Sequence, residues 1–467
     1  MPNLISKSSV PITLALFLYV LVFVSCKTER TEPLKDEGLL SEIEASLDTL
    51  VQVWYPKTVD TVNGGFWSDF NYKWEREGKQ NKMLVSQARH VWTASTLALF
   101  YKDKKYEQIA AHGYRFLRDA MWDETNGGFH TLLHVKNDSL EVLSNTKSTY
   151  GNSFAIYGLA TYYKASRDSA ALNLAKKTFL WLEEHAHDSI YKGYFDVLQP
   201  NGSWFLDVNT NDADYDNFIR KDWKDQNSSI HLLESFTALY EVWQNPLLKK
   251  RLEEMLGLIR DTITTPKGHL SLYLERDWKP ISLRDSTDSY RKQNLWVDHV
   301  SFGHDVETAF LMLEASHILG RTKDSATLIK AKKMVDHALE WGWDIQTGGF
   351  YYEGVYWDKK GRHTIEKEAK VWWTQAEGLN SLLLFSKLFP DESRYLDLFE
   401  KQWDHIVTHM IDHEYGGWFH EGLDTDPEAK YDAKAHNWKV NYHNIRALVN
   451  TIQMLKDEFP LTDPKHL

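Results

Sequence analysis

The chain has 467 residues, 54 Lys and Arg against 66 Asp and Glu, a formal net charge of −12 and a single cysteine, Cys26. The acidic balance and the lack of a basic stripe exclude nucleic acid as a partner, and one cysteine excludes an internal disulfide. The length exceeds what one simple core usually holds, so a fold that buries surface between stacked units is favoured.

At the N-terminus an apolar run from Val10 to Val24 follows Lys7 and is too short to span a bilayer comfortably, which reads as a secretory signal. It ends Val24-Ser25-Cys26, resembling a bacterial lipobox. The expected organisation is a lipoprotein signal over residues 1–25, a lipidated tether over 26–36 and one domain over 37–467. Cys26 is then the lipidation site, and the protein is exported and anchored to a bacterial membrane on its periplasmic or cell-surface side. That lipid is the only membrane contact expected.

Twelve amphipathic helices follow, with apolar residues at three- and four-residue intervals. One set covers Leu39–Trp54, Tyr106–Met121, Ala170–His185, Leu247–Ile263, Ala326–Trp341 and Tyr395–Met410. The second covers Ser86–Phe100, Gly151–Tyr163, Ser228–Trp243, His304–His317, Trp373–Phe385 and Tyr442–Leu455. Between a helix of the first set and the next of the second lies a recurring turn: Gly64-Gly65-Phe66, Gly127-Gly128-Phe129, Gly193-Tyr194-Phe195, Gly348-Gly349-Phe350, Gly416-Gly417-Trp418, and a degenerate Gly268-His269-Leu270. Self-similarity at this spacing signals stacked helical pairs, and six pairs close a ring. The loops that carry the turns are long and rich in Trp and Asp, so the end where the second-set helices begin is the expected working face.

Polar residues cluster in the first turns of those helices. The first offers Arg89 and His90, the second Tyr150, and the third Asn227, His231 and Glu234, which share one helical face. The fourth offers His304 and Glu307, the fifth Trp372, Trp373 and Glu377, and the sixth Tyr442-His443-Asn444 behind Trp438. Convergence of three histidines and three glutamates on one cavity carries a desolvation cost that a purely structural role does not explain. A metal site lacks a His-Glu-x-x-His or cysteine-pair signature, and none is expected. Glycoside hydrolysis by paired glutamates leaves the histidines without work. With 19 Trp and 23 Tyr in the chain, an aromatic, acid-rich cleft suits an oligosaccharide, rings stacking on sugar C–H faces.

At these residues the sequence resembles the N-acylglucosamine 2-epimerase family, most closely its cellobiose 2-epimerase branch. The resemblance rests on Ser86-Gln87-Ala88-Arg89, Tyr150-Gly151, Asn227 with His231 to Glu234, Gly303 to Glu307, Trp372-Trp373 with Gln375-Ala376-Glu377, and Trp438 with Tyr442-His443-Asn444. It implies an all-α (α/α)6 barrel with short β-hairpin loops at the active-site end. The implied reaction is a cofactor-independent epimerisation at carbon 2 of the reducing-end sugar of a β-1,4-linked disaccharide. By resemblance His304 and His443 are the two bases and Arg89 holds the oxyanion. Tyr150, Asn227, His231, Glu234, Glu307, Trp372, Trp373, Glu377 and Trp438 line the substrate site, and the protein is expected to be a monomer. Two departures stand out: Phe310 where the pattern often has tryptophan, and Asn152-Ser153 where Gln-Ala is more familiar. Competing readings are an aldose–ketose isomerase or monosaccharide epimerase of the same family, a glycoside hydrolase with Glu307 or Glu377 as acid, and a sugar-binding lipoprotein.

Overall fold

A single apolar stripe and an all-round buried surface distinguish two kinds of helix. Helix α1 (Glu37–Trp54) buries only Ile43, Leu47, Leu50, Val51 and Trp54, the pattern of a helix with one wet face. Helix α2 (Leu84–Tyr101) buries every residue from Leu84 to Ser95. In the computed structural model, which describes residues 37–136, 139–205, 223–321, 323–357 and 361–462, this alternation continues along the chain. The proposed signal segment, the tether and Cys26 lie outside the described residues. Among those described, no helix is long and apolar enough to cross a membrane.

The outer helices are α1, α3 (Lys104–Phe116), α5 (Ser169–His185), α7 (Pro246–Leu258), α10 (Ser325–Gly342) and α12 (Arg394–His405). The inner ones are α2, α4 (Thr149–Ser166), α6 (Gln226–Val242), α9 (Phe302–Ile318), α11 (Trp372–Leu388) and α13 (Tyr442–Leu455). A short α8 (Asp288–Gln293) sits in the loop before α9 and has no counterpart in the sequence reading. Three outer helices end in one π-helical turn, at Leu117–Met121, Ile259–Ile263 and Ile406–Met410.

The inner helices pack in chain order, α2 on α4, α4 on α6, α6 on α9, α9 on α11 and α11 on α13, and α13 returns to α2. This is the (α/α)6 barrel. Each outer helix packs on the inner helix before it, as α3 on α2 and α5 on α4, and α1 packs on α13. The sixth helical pair therefore joins the first and last helices of the barrel, with an ion pair of 2.6 Å between Glu44 and Lys456 across the junction.

Short strands stitch neighbouring units at the end where inner helices begin. Strand β1 (Lys82–Met83) pairs antiparallel with β2 (Leu132–Lys136), which continues to β3 (Ser139–Val142), with Lys82 opposite Leu133. In the same way β4 (Lys147–Ser148) pairs with β5 (Val197–Leu198), β6 (Lys224–Asp225) with β7 (Tyr273–Leu274), and β8 (Val300–Ser301) with β9 (Glu353–Val355), which carries β10 (Thr364–Lys367).

The glycine turns are bound to this end by two repeated devices. An inner-helix side chain accepts from the backbone N–H of the turn's third residue: Gln87 from Phe66 at 2.8 Å, Asn152 from Phe129 at 3.0 Å, Asp305 from Leu270 at 2.9 Å and Gln375 from Phe350 at 2.9 Å. Asn152 thus departs from the familiar glutamine while making the same bond. Glycine is required beside it, because Gly65 has φ +66° and a Cβ there would lie 2.4 Å from Gln87 Oε1. The second device is a buried Lys–Asp pair: Lys82–Asp60 at 2.6 Å, Lys147–Asp123 at 2.7 Å, Lys224–Asp188 at 3.2 Å, Lys370–Asp344 at 2.8 Å and Lys434–Asp412 at 2.5 Å. In the fourth unit Thr265 and Val300 take the corresponding places, Thr265 N–H donating to His269 O as Asp60 N–H does to Gly65 O. Both partners are replaced together, which leaves no orphaned charge.

Candidate active site

Six inner-helix N-termini and the loops before them bring together the residues singled out in the sequence. Arg89 comes from α2, Tyr150 from α4, Asn227, His231 and Glu234 from α6, His304 and Glu307 from α9, Trp372, Trp373 and Glu377 from α11, and His443 from α13. Trp373 touches both imidazoles, its ring 4.6 Å from that of His304 and 5.7 Å from that of His443. The Arg89 guanidinium donates to the Tyr150 hydroxyl at 3.0 Å and lies over the rings of Phe154 and Tyr442 at 4.3 and 4.9 Å. Tyr150 in turn stands 5.3 Å from the His231 ring and 6.3 Å from that of Trp438. Trp438 is half exposed, at the edge of the cluster.

Not every candidate faces this group. The Trp372 ring packs against His420 at 4.7 Å and His436 at 6.1 Å, one layer removed from the imidazoles. His90 belongs to the core: it bonds the Tyr55 hydroxyl at 2.9 Å and stacks on Phe66. Phe310, which stands where the pattern often has tryptophan, is buried with its ring 6.4 Å from Phe459 and 5.8 Å from the Arg446 guanidinium. Asn227 keeps a buried amide oxygen without a protein partner.

Beneath the imidazoles lies a charged network that sequence reading missed. Its hub is Arg446 on α13, 2% exposed. One nitrogen of its guanidinium, Nη1, donates to Glu234 and Tyr442, and the other, Nη2, to Glu307 and, at 2.6 Å, to Glu377. Tyr442 also donates to Glu234. His443 Nδ1 lies 2.6 Å from Glu377 Oε1 and 3.9 Å from Glu307 Oε1, while His231 Nδ1 lies 2.8 Å from Glu234 Oε2. His304 differs, its Nδ1 meeting Ser301 Oγ at 2.9 Å and the Gln226 amide nitrogen at 3.3 Å. The signal for Arg446 was present: it follows His443 by three and Tyr442 by four, the spacing that puts side chains on one helical face.

Ligand atoms of Glu307, Glu377 and His443 lie close enough together to hold a cation. Arg446 already supplies the positive charge there, since its Nη2 donates to an oxygen of both glutamates. A divalent ion would have to displace a guanidinium that never deprotonates.

Electrostatics follow from burial and this network. Burial, with His231, His299, His443 and Arg89 adding repulsion, holds His304 well below the usual imidazole range. Burial also lowers His443, with Arg89 and Arg446 adding to the shift and Glu307 opposing it. Both imidazoles are therefore neutral near pH 7. Burial pushes Glu377 up against the pull of Arg446, whereas Glu234, desolvated too, is held down at about 2 by Arg446 and His231. Two neutral imidazoles beside a fixed guanidinium and stacking rings suit proton transfer at carbon next to a carbonyl.

The sequence profile of the N-acylglucosamine 2-epimerase (GlcNAc 2-epimerase) family matches residues 65–447, a span that holds every residue of this cluster. The chain is 28% identical over 423 residues to a cellobiose 2-epimerase of Bacteroides fragilis, covering 89% of this chain and 99% of that one. It is 25% identical over 429 residues to a D-mannose isomerase of Marinomonas mediterranea, covering 88% and 97%. Among solved structures, a cellobiose 2-epimerase from Spirochaeta thermophila matches with a TM-score of 0.74 at 29% identity, covering 90% of this chain and 97% of that one. The chain belongs to the N-acylglucosamine 2-epimerase family and is a carbohydrate epimerase or isomerase.

Proposed function

We propose that this sugar 2-epimerase interconverts glucose and mannose at the reducing end of β-1,4-linked disaccharides, with cellobiose giving glucosyl-mannose and lactose or mannobiose as further substrates. In the open-chain form the carbonyl acidifies the proton on carbon 2. Its removal by an imidazole leaves an enediolate, rotation about the bond between carbons 2 and 3 presents the other face, and return of a proton inverts the centre. The observation that carries this reading is the pair of neutral imidazoles, His304 and His443, that share the Trp373 ring as a neighbour. Arg89, which stays charged throughout, holds the oxyanion. Glu307, Glu377 and Glu234 fix the imidazoles, as carboxylates behind reactive histidines do. Tyr150, Asn227 and His231 bind hydroxyls, and half-exposed Trp438 offers a ring to the second sugar.

A second reading keeps the same enediolate but returns the proton to carbon 1, giving a ketose; the likeness to a D-mannose isomerase supports it. Incubation with cellobiose in deuterated water, followed by NMR, separates the readings. Deuterium at carbon 2 of glucosyl-mannose supports the epimerase, a ketose supports the isomerase, and free glucose overturns both in favour of hydrolysis. We further propose export and lipid anchoring through Cys26. Labelling with a palmitate analogue in cells, lost in Cys26→Ser, is the expected result; equal labelling of the variant overturns it.

A further inference from the structure

The two imidazoles beside Trp373 have chemically opposite partners behind them, and that difference reaches the reacting atoms. A carboxylate oxygen only accepts. Glu377 Oε1, which already accepts from Arg446 at 2.6 Å, therefore requires a proton on His443 Nδ1, 2.6 Å away. His231 is in the same position against Glu234. His304, alone of the three, faces no carboxylate: its Nδ1 meets the Gln226 amide nitrogen and the Ser301 hydroxyl. An amide nitrogen only donates, so His304 Nδ1 must accept, and its proton sits on Nε2.

We infer that Gln226, with Ser301, is a positioning residue that holds His304 as the neutral Nε2–H tautomer, opposite to that of His443. This rests on the epimerase reading above and deepens it. In both rings Nδ1 is engaged by the protein, so Nε2 is the atom left for substrate. On His443 that atom carries a lone pair, and on His304 a proton. His443 Nε2 takes the proton from carbon 2; the C–H electron pair forms the double bond to carbon 1, and the carbonyl π pair moves to its oxygen. His304 donates a hydrogen bond to that oxygen beside Arg89 and remains neutral, because surrendering its Nε2 proton would leave an imidazolate. After rotation of the enediolate, imidazolium His443 returns the proton, and both rings regain their starting tautomers without a resetting step. The expectation of two equivalent bases is thereby replaced by one proton carrier and one hydrogen-bond donor.

Gln226 is 4% exposed and lies at the first position of α6, where exchange for Glu changes one atom's hydrogen-bonding character with almost no change in volume. The test uses full-length protein labelled with 15N-histidine, the His304 signals being those lost in His304→Asn. The expected wild-type spectrum near pH 7.5 shows His304 Nδ1 unprotonated and Nε2 protonated. In Gln226→Glu the new carboxylate draws the proton to Nδ1, and kcat falls about 10²-fold, the cost of one oxyanion donor, while KM stays within about 3-fold. Gln226→Met, which removes the bond without opposing it, loses less. A wild-type His304 protonated on Nδ1 overturns the proposal, as does a Gln226→Glu enzyme with unchanged kcat. Absence of deuterium exchange at carbon 2 in the wild type would instead defeat the epimerase reading, and the spectrum would still report the tautomer.

Discussion

Replacing Arg446 by Met removes a buried guanidinium that touches three buried carboxylates. Glu234, Glu307 and Glu377 are each 1% exposed or less, and each accepts from this guanidinium. Methionine fills similar space but leaves the glutamates facing one another without compensation. Breaking a buried pair costs about 3–5 kcal/mol, a large part of the roughly 5–15 kcal/mol that holds a folded domain. In a chain of this size that is roughly a 4 °C fall in Tm. The sign of the pH effect is the sharper test. Without the guanidinium, burial raises Glu234 and Glu377 above their unfolded values, so the stability they contribute is fully present below the unfolded value and is lost as pH rises through the folded one. The deficit relative to wild type should therefore be larger at pH 8 than at pH 5. Urea unfolding followed by circular dichroism at both pH values measures it. An equal deficit at the two, or one below about 1 kcal/mol, would refute the view of Arg446 as the hub.

Three further outcomes are expected. His304→Asn and His443→Asn should each slow exchange at carbon 2 by about 10²–10⁴-fold, measured by NMR in deuterated water, with far-ultraviolet circular dichroism unchanged. Acid should destabilise the fold early: burial lowers His90 and His337 to about 3 and His405 to about 4, so the unfolded chain binds protons below pH 6.5 that the folded one refuses. That stability is complete above 6.5 and declines toward pH 4 by up to about 1.4 kcal/mol per pH unit for each histidine; a urea midpoint flat between pH 7 and 5 would contradict it. Lys147→Met should cost about 3–5 kcal/mol by stranding Asp123, whereas the double variant Asp123→Thr with Lys147→Val, which copies Thr265 and Val300 of the fourth unit, should recover most of the loss.

The ring of six pairs was legible because its two signals are local: helical periodicity and glycines that must adopt positive φ, as Gly64 and Gly65 do at +83° and +66°. His304, Trp373 and His443 were legible because each lies in the first turn of an inner helix, and Arg89, one turn further along α2, because it closes the run Ser86-Gln87-Ala88-Arg89. Arg446 sits at a similar depth in α13 but among Ile445, Ala447 and Leu448, which read as core, and only its spacing from His443 marks it. The Lys–Asp pairs escaped for another reason. Asp60 and Lys82 are 22 residues apart, and the repeat of that pairing at Asp123 and Lys147 shows only when units are laid over one another. Trp372 misled because adjacent residues on a helix point about 100° apart, so sharing a motif with Trp373 did not give it the same neighbours.

The pairing of α1 with α13 ties the reactive centre to the order of synthesis. His443 and Arg446 lie on the last helix of the barrel, and that helix packs against the first, which buries Ile43, Leu47, Leu50, Val51 and Trp54. A ribosome must therefore finish nearly the whole polypeptide before the waiting N-terminal helix finds its mate. Contacts so distant in sequence slow folding and make its last step cooperative. Until that clasp shuts, no carbohydrate can be turned over, so a truncated product is inert although it retains most of the ring.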